Sequence, residues 1–236
     1  MNRHGTLYLI PTTLGECALK QVLPLHNDSI VNSLQHFIVE DIRTARRFLK
    51  KVNKDINIDA LTFATLNEQT REAEFAALLT PLLNGKDVGI ISEAGCPAIA
   101  DPGADVVRLA QEKGIKVVPL VGPSSILLSL MASGFNGQNF TFAGYLPIEA
   151  HERSKALKLL EKKVFAENQT QIFIETPYRN VKLVEDIIRN CSPQTKLCIA
   201  VDITLDNEFI RTKPIAEWKR QLPDIQKRPA IFLLGK

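Results

Sequence analysis

The stretch "VEDIRTARR" (39–47) brings acidic and basic side chains together just after a strand-like run. Its Glu40, Asp41 and Arg43 lie where a helical pattern begins. A carboxylate in such a place can assist removal of a proton, and an arginine can hold a phosphate or developing negative charge. Asp41 and Arg43 are therefore candidate catalytic residues. The alternative interpretation is that Asp41 only caps the following helix.

The stretch "IETPYRN" (174–180) places a similar group in the second half of the chain. Glu175, Tyr178 and Arg179 again follow a strand-like run directly. Polar residues at the carboxyl ends of strands are typical of ligand sites in open α/β sheets. Glu175 and Arg179 are thus the second pair of candidate catalytic residues, and a cap formed by Thr176 is the alternative.

A third stretch, "GIISEAGCPAIADPG" (89–103), concentrates small and rigid residues in one loop. Gly95 permits close approach of a ligand to the backbone, and Pro97 fixes the path of the loop. Ordinary turn chemistry is the competing interpretation. The loop lacks GxGxxG, and no GK[ST] follows it, which disfavours a phosphate cradle. No cationic residue beside Cys96 would activate its thiol, so we expect it to be a small wall residue.

Two further loops have the same character, namely "IPTTLGE" (10–16) and "VGPSS" (121–125). Each follows a strand-like run, as the 89–103 loop does. Because ligands of open α/β sheets bind beyond the carboxyl ends of the strands, the three loops predict one binding edge. Capping of the next helix is the alternative role for Ser124 and Ser125.

The elements that must position these loops alternate along the chain. Helical spacing of apolar residues marks 45–52, 75–82 and 184–191, between strand-like runs. This alternation predicts an α/β fold with mainly parallel sheets. Pro and Gly near 119–125 predict a boundary between two domains, 1–120 and 121–236. The nine strand-like runs are 6–10, 36–40, 60–65, 87–92, 116–121, 139–145, 170–175, 196–202 and 230–235.

Charge and cysteine usage limit the classes of function. The net charge of +3 permits an anionic partner without requiring one. The basic runs 46–51 and 151–163 fit solvated helix faces, or alternatively surfaces that follow a phosphate backbone. The four cysteines and four histidines have no metal-like spacing. We expect no metal, no disulfide, no membrane span and a cytoplasmic location.

Six motifs together resemble the tetrapyrrole methylase superfamily, and most closely its bacterial 16S ribosomal RNA cytidine 2′-O-methyltransferases. They are "LYLIPTTLGE", "VEDIRTARRFL", "GIISEAGCPAIADPG", "VPLVGPSSILLSLMASGF", "FTFAGYLP" and "IFIETPYRN". The resemblance implies two α/β domains of the tetrapyrrole methylase type with a cofactor cleft between them. It also implies S-adenosylmethionine (SAM) as methyl donor, ribosomal RNA as acceptor and a homodimer.

The resemblance also implies which residues touch the cofactor. The loop after the first strand contributes one, the "GCPAIA" and "PSSI" segments contribute most, and the second domain completes the wall. The implied cofactor-binding residues are Pro11, Gly95, Cys96, Ile99, Ala100, Ser124, Ser125, Ile126, Ile174 and Ala230.

Several positions depart from the family pattern. Ile42 stands where the branch has threonine, and Tyr178 stands where it has histidine. Leu205 replaces a lysine, and Ile148 and Glu149 replace a basic patch. The motifs that the resemblance assigns to the cofactor thus match the family pattern more closely than those that it assigns to RNA. Two alternatives stay open: a precorrin-type C-methyltransferase, and a SAM-binding module without turnover.

Overall fold

The computed structural model describes residues 4–66, 70 and 72–236, apart from the side chains of residues 72 and 73. The chain divides into two compact units, Met1–Ser124 and Ser125–Lys236. The α/β class predicted from the alternating pattern is confirmed, because each unit contains a five-stranded sheet with helices. That the two domains are residues 1–120 and 121–236 stays a prediction.

The sheet of the first unit has the strand order β3-β2-β4-β1-β5, and all four pairs are parallel. All four residues of its central strand, β4, are buried, as expected for a parallel sheet covered on both faces. The strands are β1 (Thr6–Ile10), β2 (His36–Val39), β3 (Thr62–Thr65), β4 (Val88–Ile91) and β5 (Lys116–Pro119).

Side chains along the strands of the first unit alternate between the two faces of the sheet, and a hydrophobic core forms on each face. Ile38 and Ile90 point to one core, together with residues of the fourth to sixth helices. Phe37 and Ile91 point to the other, with residues of the second and third helices. The helices are α1 (Leu19–Val22), α2 (Leu25–Ser33), α3 (Ile42–Val52), α4 (Glu72–Leu78), α5 (Thr80–Leu83) and α6 (Gly103–Glu112).

The sheet of the second unit has the strand order β6-β7-β10-β8-β9. Only β6 and β7 are parallel, and the remaining three pairs are antiparallel. The strands are β6 (Phe140–Tyr145), β7 (Thr170–Ile174), β8 (Lys196–Val201), β9 (Phe209–Pro214) and β10 (Ala230–Gly235), and the helices are α7 (Ser125–Ser133), α8 (Ala150–Glu167), α9 (Asn180–Asn190) and α10 (Ile215–Trp218).

Packing of α8, α9 and α10 on this second sheet forms one large core. Leu157 of α8 and Val184 of α9 are fully buried against Phe173 and Phe232, whose rings stack 6.1 Å apart. The Trp218 indole N–H donates to the Leu197 carbonyl at 2.9 Å, which satisfies its polar atom inside this core.

The structure corrects two sequence predictions. The expectation of mainly parallel sheets is wrong for the second unit. Strands buried on both faces look alike in sequence whether they pair parallel or antiparallel. A tenth strand, β9, was missed because its "FIRTKP" pattern carries Arg211, Lys213 and Pro214. Charges and proline are tolerated there because β9 is an edge strand.

Candidate active site

The three small-residue loops of the first unit share one edge, as predicted. They follow β1, β4 and β5, and β1 lies between the other two strands in the sheet. Backbone hydrogen bonds join the loops: Thr12 N–H donates to the Gly95 carbonyl at 3.0 Å, and Ser92 N–H donates to the Ile10 carbonyl at 3.4 Å. The first two loops therefore form one connected surface at the carboxyl ends of the strands.

Gly95 is required by the geometry of this edge. It is buried, and its φ of +75° lies in the left-handed region. A Cβ at this position would lie 3.0 Å from Leu14 Cδ2 and 3.3 Å from the Pro123 carbonyl oxygen. Any larger side chain would thus push apart loops from all three strands. The backbone at Gly95 is held where only a glycine fits.

Pro11 and Gly122 bring the first and third loops into direct contact. A Cβ added to Gly122 would lie 2.3 Å from Pro11 Cγ, so the backbone of the third loop packs on the proline ring. Pro11 is buried here. This predicted cofactor residue therefore supports the edge by packing, and contact with a cofactor stays a prediction.

The loop after β4 is strained. Ala98 and Ala100 have φ values of 65° and 56°, in the left-handed region that alanine rarely adopts. Asp101 holds this path, because its Oδ1 accepts the N–H of Gly103 at 2.7 Å and that of Ala98 at 3.2 Å. Strain of this kind persists only where the surroundings enforce it, which is common at ligand sites.

Cys96 and Ile99 complete the wall of this loop. The Cys96 thiol is half-buried, 3.4 Å from the Pro123 carbonyl oxygen, and burial raises its pKa. It is therefore a thiol at neutral pH, in agreement with the role of a small wall residue. Ile99 is 52% exposed and Ala100 is also exposed, so both can be reached by a ligand.

The acid–base cluster of the first unit lies at the start of α3. Asp41 caps the helix, since its carboxylate accepts the Thr44 N–H at 2.8 Å. This hydrogen bond is the main reason why the pKa of Asp41 is lowered. The Thr44 hydroxyl donates to Glu93 Oε1 at 2.6 Å, which joins the α3 N-terminus to the loop after β4. Arg43 is exposed on α3.

Sequence reasoning missed Thr44 and Glu93. Both are polar residues within the predicted motifs, and Glu93 lies two residues after the end of β4. Their contact spans 49 residues of chain. It depends on β2 and β4 being neighbours in the sheet, which the sequence pattern does not specify.

The "PSSI" segment begins α7, the first helix of the second unit. Ser125 and Ile126 lie in its first turn, and Ser124 precedes it. The first amides of a helix have no partner within the helix, so they can donate to a ligand or to a cap. Both predicted roles of these serines are therefore compatible with the structure.

Ile174 and Ala230 lie at one edge of the second sheet. Ile174 ends β7, and Ala230 begins the antiparallel neighbour β10, where Ile231 pairs with Ile174. Ala230 is buried and Ile174 is partly exposed. These two predicted cofactor residues are thus brought together within the second unit.

Glu175 and Arg179 form an ion pair at the same edge. Glu175 Oε1 accepts from Arg179 Nε at 2.9 Å and from the Thr176 N–H at 2.6 Å. The Glu175 side chain is 3% exposed, whereas that of Arg179 is 38% exposed. Tyr178 is exposed beside them. The predicted cap does not form through the Thr176 side chain, because only its backbone takes part.

Two further arginines hold neighbouring loops of the second unit, and no sequence motif predicted either of them. Arg153 is buried, donates to Asp186 through Nε at 2.8 Å and binds the carbonyls of Pro147 and Ile148. Arg228 donates through Nε to Asp202 at 2.7 Å. Their carboxylate partners lie more than 25 residues away, so periodicity cannot reveal these ion pairs.

No group of three potential metal ligands occurs in the described part of the chain. All four cysteines are free thiols. Among the described residues, no helix is both long and apolar enough to cross a bilayer.

Comparisons with known proteins agree with this geometry. The family model "Tetrapyrrole (Corrin/Porphyrin) Methylases" matches residues 23–219. "Ribosomal RNA small subunit methyltransferase I" of Escherichia coli O157:H7 is 32% identical over 99% of this chain and 78% of the relative. The protein of the same name from Vibrio cholerae serotype O1 is 32% identical over 89% of this chain and 69% of the relative.

A solved structure, "Crystal structure of the methyltransferase CobJ", has the same fold. Its TM-score is 0.64 at 14% identity, and the match covers 99% of this chain and 94% of that one. The family match and the relatives define a class of SAM-dependent methyltransferases. The chain belongs to the tetrapyrrole methylase family. The resemblance inferred from the six motifs is therefore confirmed.

Proposed function

We propose that this protein transfers the methyl group of SAM to a ribose 2′-oxygen of small-subunit ribosomal RNA. The observation that carries the proposal is the match to "Ribosomal RNA small subunit methyltransferase I" over nearly the whole chain. Solved structures of tetrapyrrole enzymes such as "cobalt precorrin-4 methyltransferase" share only 15% identity and support the fold alone. RNA is therefore favoured over a corrin-type acceptor.

The loop edge of the first unit fits SAM. Gly95 offers backbone at a point where a Cβ would collide with neighbouring loops, and Ala98 and Ala100 add only methyl groups. Ile99 offers an exposed apolar surface. We assign cofactor contacts to this edge and to the first turn of α7, with Ile174 and Ala230 as contacts from the second unit.

SAM supplies a methyl group on a sulfonium, which is already a good electrophile. The protein mainly has to align the acceptor and exclude water. Asp41 is ionised at neutral pH, its pKa is lowered further by the Thr44 backbone hydrogen bond, and it can accept a hydrogen bond from a hydroxyl. A carboxylate with a lowered pKa is a weak proton acceptor, so alignment contributes more than proton removal.

The Glu175–Arg179 pair acts on the acceptor side in this proposal. Glu175 is buried and already accepts two groups, so it is a positioning residue that holds the Arg179 guanidinium. Arg179 is partly exposed and can bind a phosphate or stabilise developing alkoxide charge. Arg43 is the corresponding exposed cation of the first unit.

A homodimer and a cytoplasmic location remain parts of the proposal. Exposed apolar side chains of the second unit support the dimer: Met131 is 78% exposed, Ile148 67% and Tyr145 60%. A dimer interface could cover such exposed apolar side chains. Light scattering at micromolar concentration should give twice the chain mass, and the mass of a monomer would overturn the proposed homodimer.

The test is methyl transfer from labelled SAM to small ribosomal subunits taken from a strain that lacks the corresponding methyltransferase. Mass spectrometry of the digested RNA should find a new ribose-methylated nucleoside. A methyl group on a base would correct the position, and transfer only to a corrin-type tetrapyrrole would favour the alternative acceptor. SAM binding without transfer to any acceptor would identify a binding module.

A further inference from the structure

Helix α3 forms one wall of three cavities in the first unit. The smallest, about 150 Å³, lies between the loop after β1, α3 and the end of β4. Cavities of about 670 and 380 Å³ lie beside it. Lys51 lines all three, and Arg47 lines the first two. We call the surface that lines these adjoining cavities the α3 groove, defined by Thr12, Thr44, Arg47, Lys51, Lys54 and Glu93.

The α3 groove carries more positive than negative charge. Its largest cavity is lined by the four cations Arg47, Lys50, Lys51 and Lys54 and by the two carboxylates Glu16 and Glu93. The cations outnumber the carboxylates, and Glu93 already accepts the Thr44 hydroxyl. An anionic ligand therefore meets a wall that is cationic overall.

The cations differ in how firmly they are bound. Lys50 donates to the carbonyls of Lys54 and Ile56, so it closes the end of α3. Lys51 forms a 3.2 Å pair with Glu16, but this pair is exposed and easily exchanged. Within the described ranges, the Arg47 guanidinium has neither a hydrogen-bond nor an ion-pair partner. Arg47 and Lys51 are therefore available to an incoming ligand.

Thr12 gives an independent sign of a ligand. It is only 6% exposed and lines the smallest cavity. Its hydroxyl oxygen is buried, and it has no hydrogen-bond partner among the residues that the structure describes. A buried hydroxyl without a partner is costly, so it is usually satisfied by a water or a ligand.

The size of the smallest cavity restricts its occupant. Its volume equals that of roughly five water molecules in the liquid. A phosphate or a single sugar fits this space. Guanidinium and ammonium groups beside hydroxyls are the usual partners of the sugar–phosphate backbone.

We infer that the α3 groove binds the sugar–phosphate backbone of the RNA acceptor. Arg47 and Lys51 contact phosphates, and the Thr12 hydroxyl contacts the sugar or phosphate in the smallest cavity. The inference rests on the proposed function for the identity of the ligand. It assigns to the basic run 46–51 one of the two roles that its sequence leaves open.

The test is filter binding of labelled 16S ribosomal RNA, without methyl transfer, over about 50 to 200 mM salt. The double variant Arg47→Ala/Lys51→Ala should bind at least tenfold more weakly. Loss of two phosphate contacts should also reduce the slope of log affinity against log salt by about 1 to 2. Thr12→Val, which keeps the shape, should weaken binding at least about twofold.

The matched control is Lys158→Ala/Lys162→Ala. These residues are exposed on α8 and have the same spacing of four residues, so the control removes the same charge. It should keep wild-type RNA affinity, and SAM affinity by calorimetry should be unchanged in both double variants. Wild-type RNA binding by the α3 double variant, or equal losses in both double variants, would overturn the inference.

Failure of the proposed function gives a different result. In that case the wild-type protein transfers no methyl group to the RNA, while the difference between the α3 variant and its control persists. If the wild-type protein transfers the methyl group but the two double variants bind RNA equally well, only the inference about the α3 groove is overturned.

Discussion

The loop edges of the two sheets are stabilised in different ways. In the first unit, the loops pack closely through their backbone, because a side chain at Gly95 or Gly122 would collide with a neighbouring loop. In the second unit, arginines hold the loops through ion pairs, as Arg153 and Arg228 show. The closely packed backbone of the first edge offers a fixed shape to a cofactor. The arginines of the second edge offer positive charge, which suits an anionic acceptor.

The largest expected effect is on stability, at the buried ion pair of the second unit. Arg153→Ala leaves Asp186 buried without its main partner, because the contacts of Lys182 and Arg189 are 3.5 Å long. Breaking such a pair costs about 3–5 kcal/mol. Urea denaturation should show this loss. Lys155→Ala, which removes an exposed pair with Glu152, should cost less than about 1 kcal/mol.

The second effect is on turnover. Arg179→Ala should reduce kcat at least about tenfold while SAM affinity stays nearly constant, because the charge acts on the acceptor and its transition state. Glu175→Gln should reduce kcat less strongly, since glutamine keeps the shape of the side chain but holds the Arg179 guanidinium less firmly. Steady-state kinetics check both, and Asp41→Asn tests the first unit in the same assay. If none of the three slows methylation, the acceptor site lies elsewhere.

The third effect concerns the strained loop. Asp101→Ala removes the acceptor of the Ala98 and Gly103 amides and should cost about 1 kcal/mol, as loss of a cap does. Ala98→Gly relieves the left-handed strain and should recover part of that loss. Thermal unfolding of the two single variants and the double variant measures the coupling. Simple additivity would show that Asp101 does not enforce the strain.

The smallest effect is on pH dependence at the α3 cap. The folded-state pKa of Asp41 is lowered, so its contribution is present above its unfolded value of about 3.9. The contribution is lost as pH falls through the folded value. Asp41→Ala should therefore lower Tm at pH 7, and the difference should shrink below about pH 4. A Tm difference between wild type and variant that stays constant from pH 7 to below about pH 4 would show that the cap does not depend on the charge of Asp41.

The edge of the first sheet could be predicted because its causes are local. Glycine and proline mark loops, and apolar β-branched runs mark the strands before them, so 10–16 and 89–103 were identified correctly. The helical spacing of 184–191 likewise predicted α9. The run 75–82 is divided instead into α4 and α5, with Pro81 in the first turn of the second helix.

What the sequence could not predict depends on contacts between distant residues. The Thr44–Glu93 hydrogen bond requires the order of strands in the sheet. The anchoring role of Asp101 requires the left-handed path of Ala98, which no propensity suggests for alanine. Direction of pairing in the second sheet is likewise absent from the apolar pattern of β8 and β10.

The central claim is that the interlocked loops of the first unit bind SAM. Gly95 and Gly114 both have left-handed φ values, 75° and 65°, but a Cβ at Gly114 would meet nothing within 4 Å. Calorimetric titration with SAM should show at least a tenfold loss of affinity, about 1.4 kcal/mol, for Gly95→Val. Gly114→Val carries the same backbone strain and should keep wild-type affinity. Unchanged SAM affinity in folded Gly95→Val protein, or equal losses in both variants, would contradict the account.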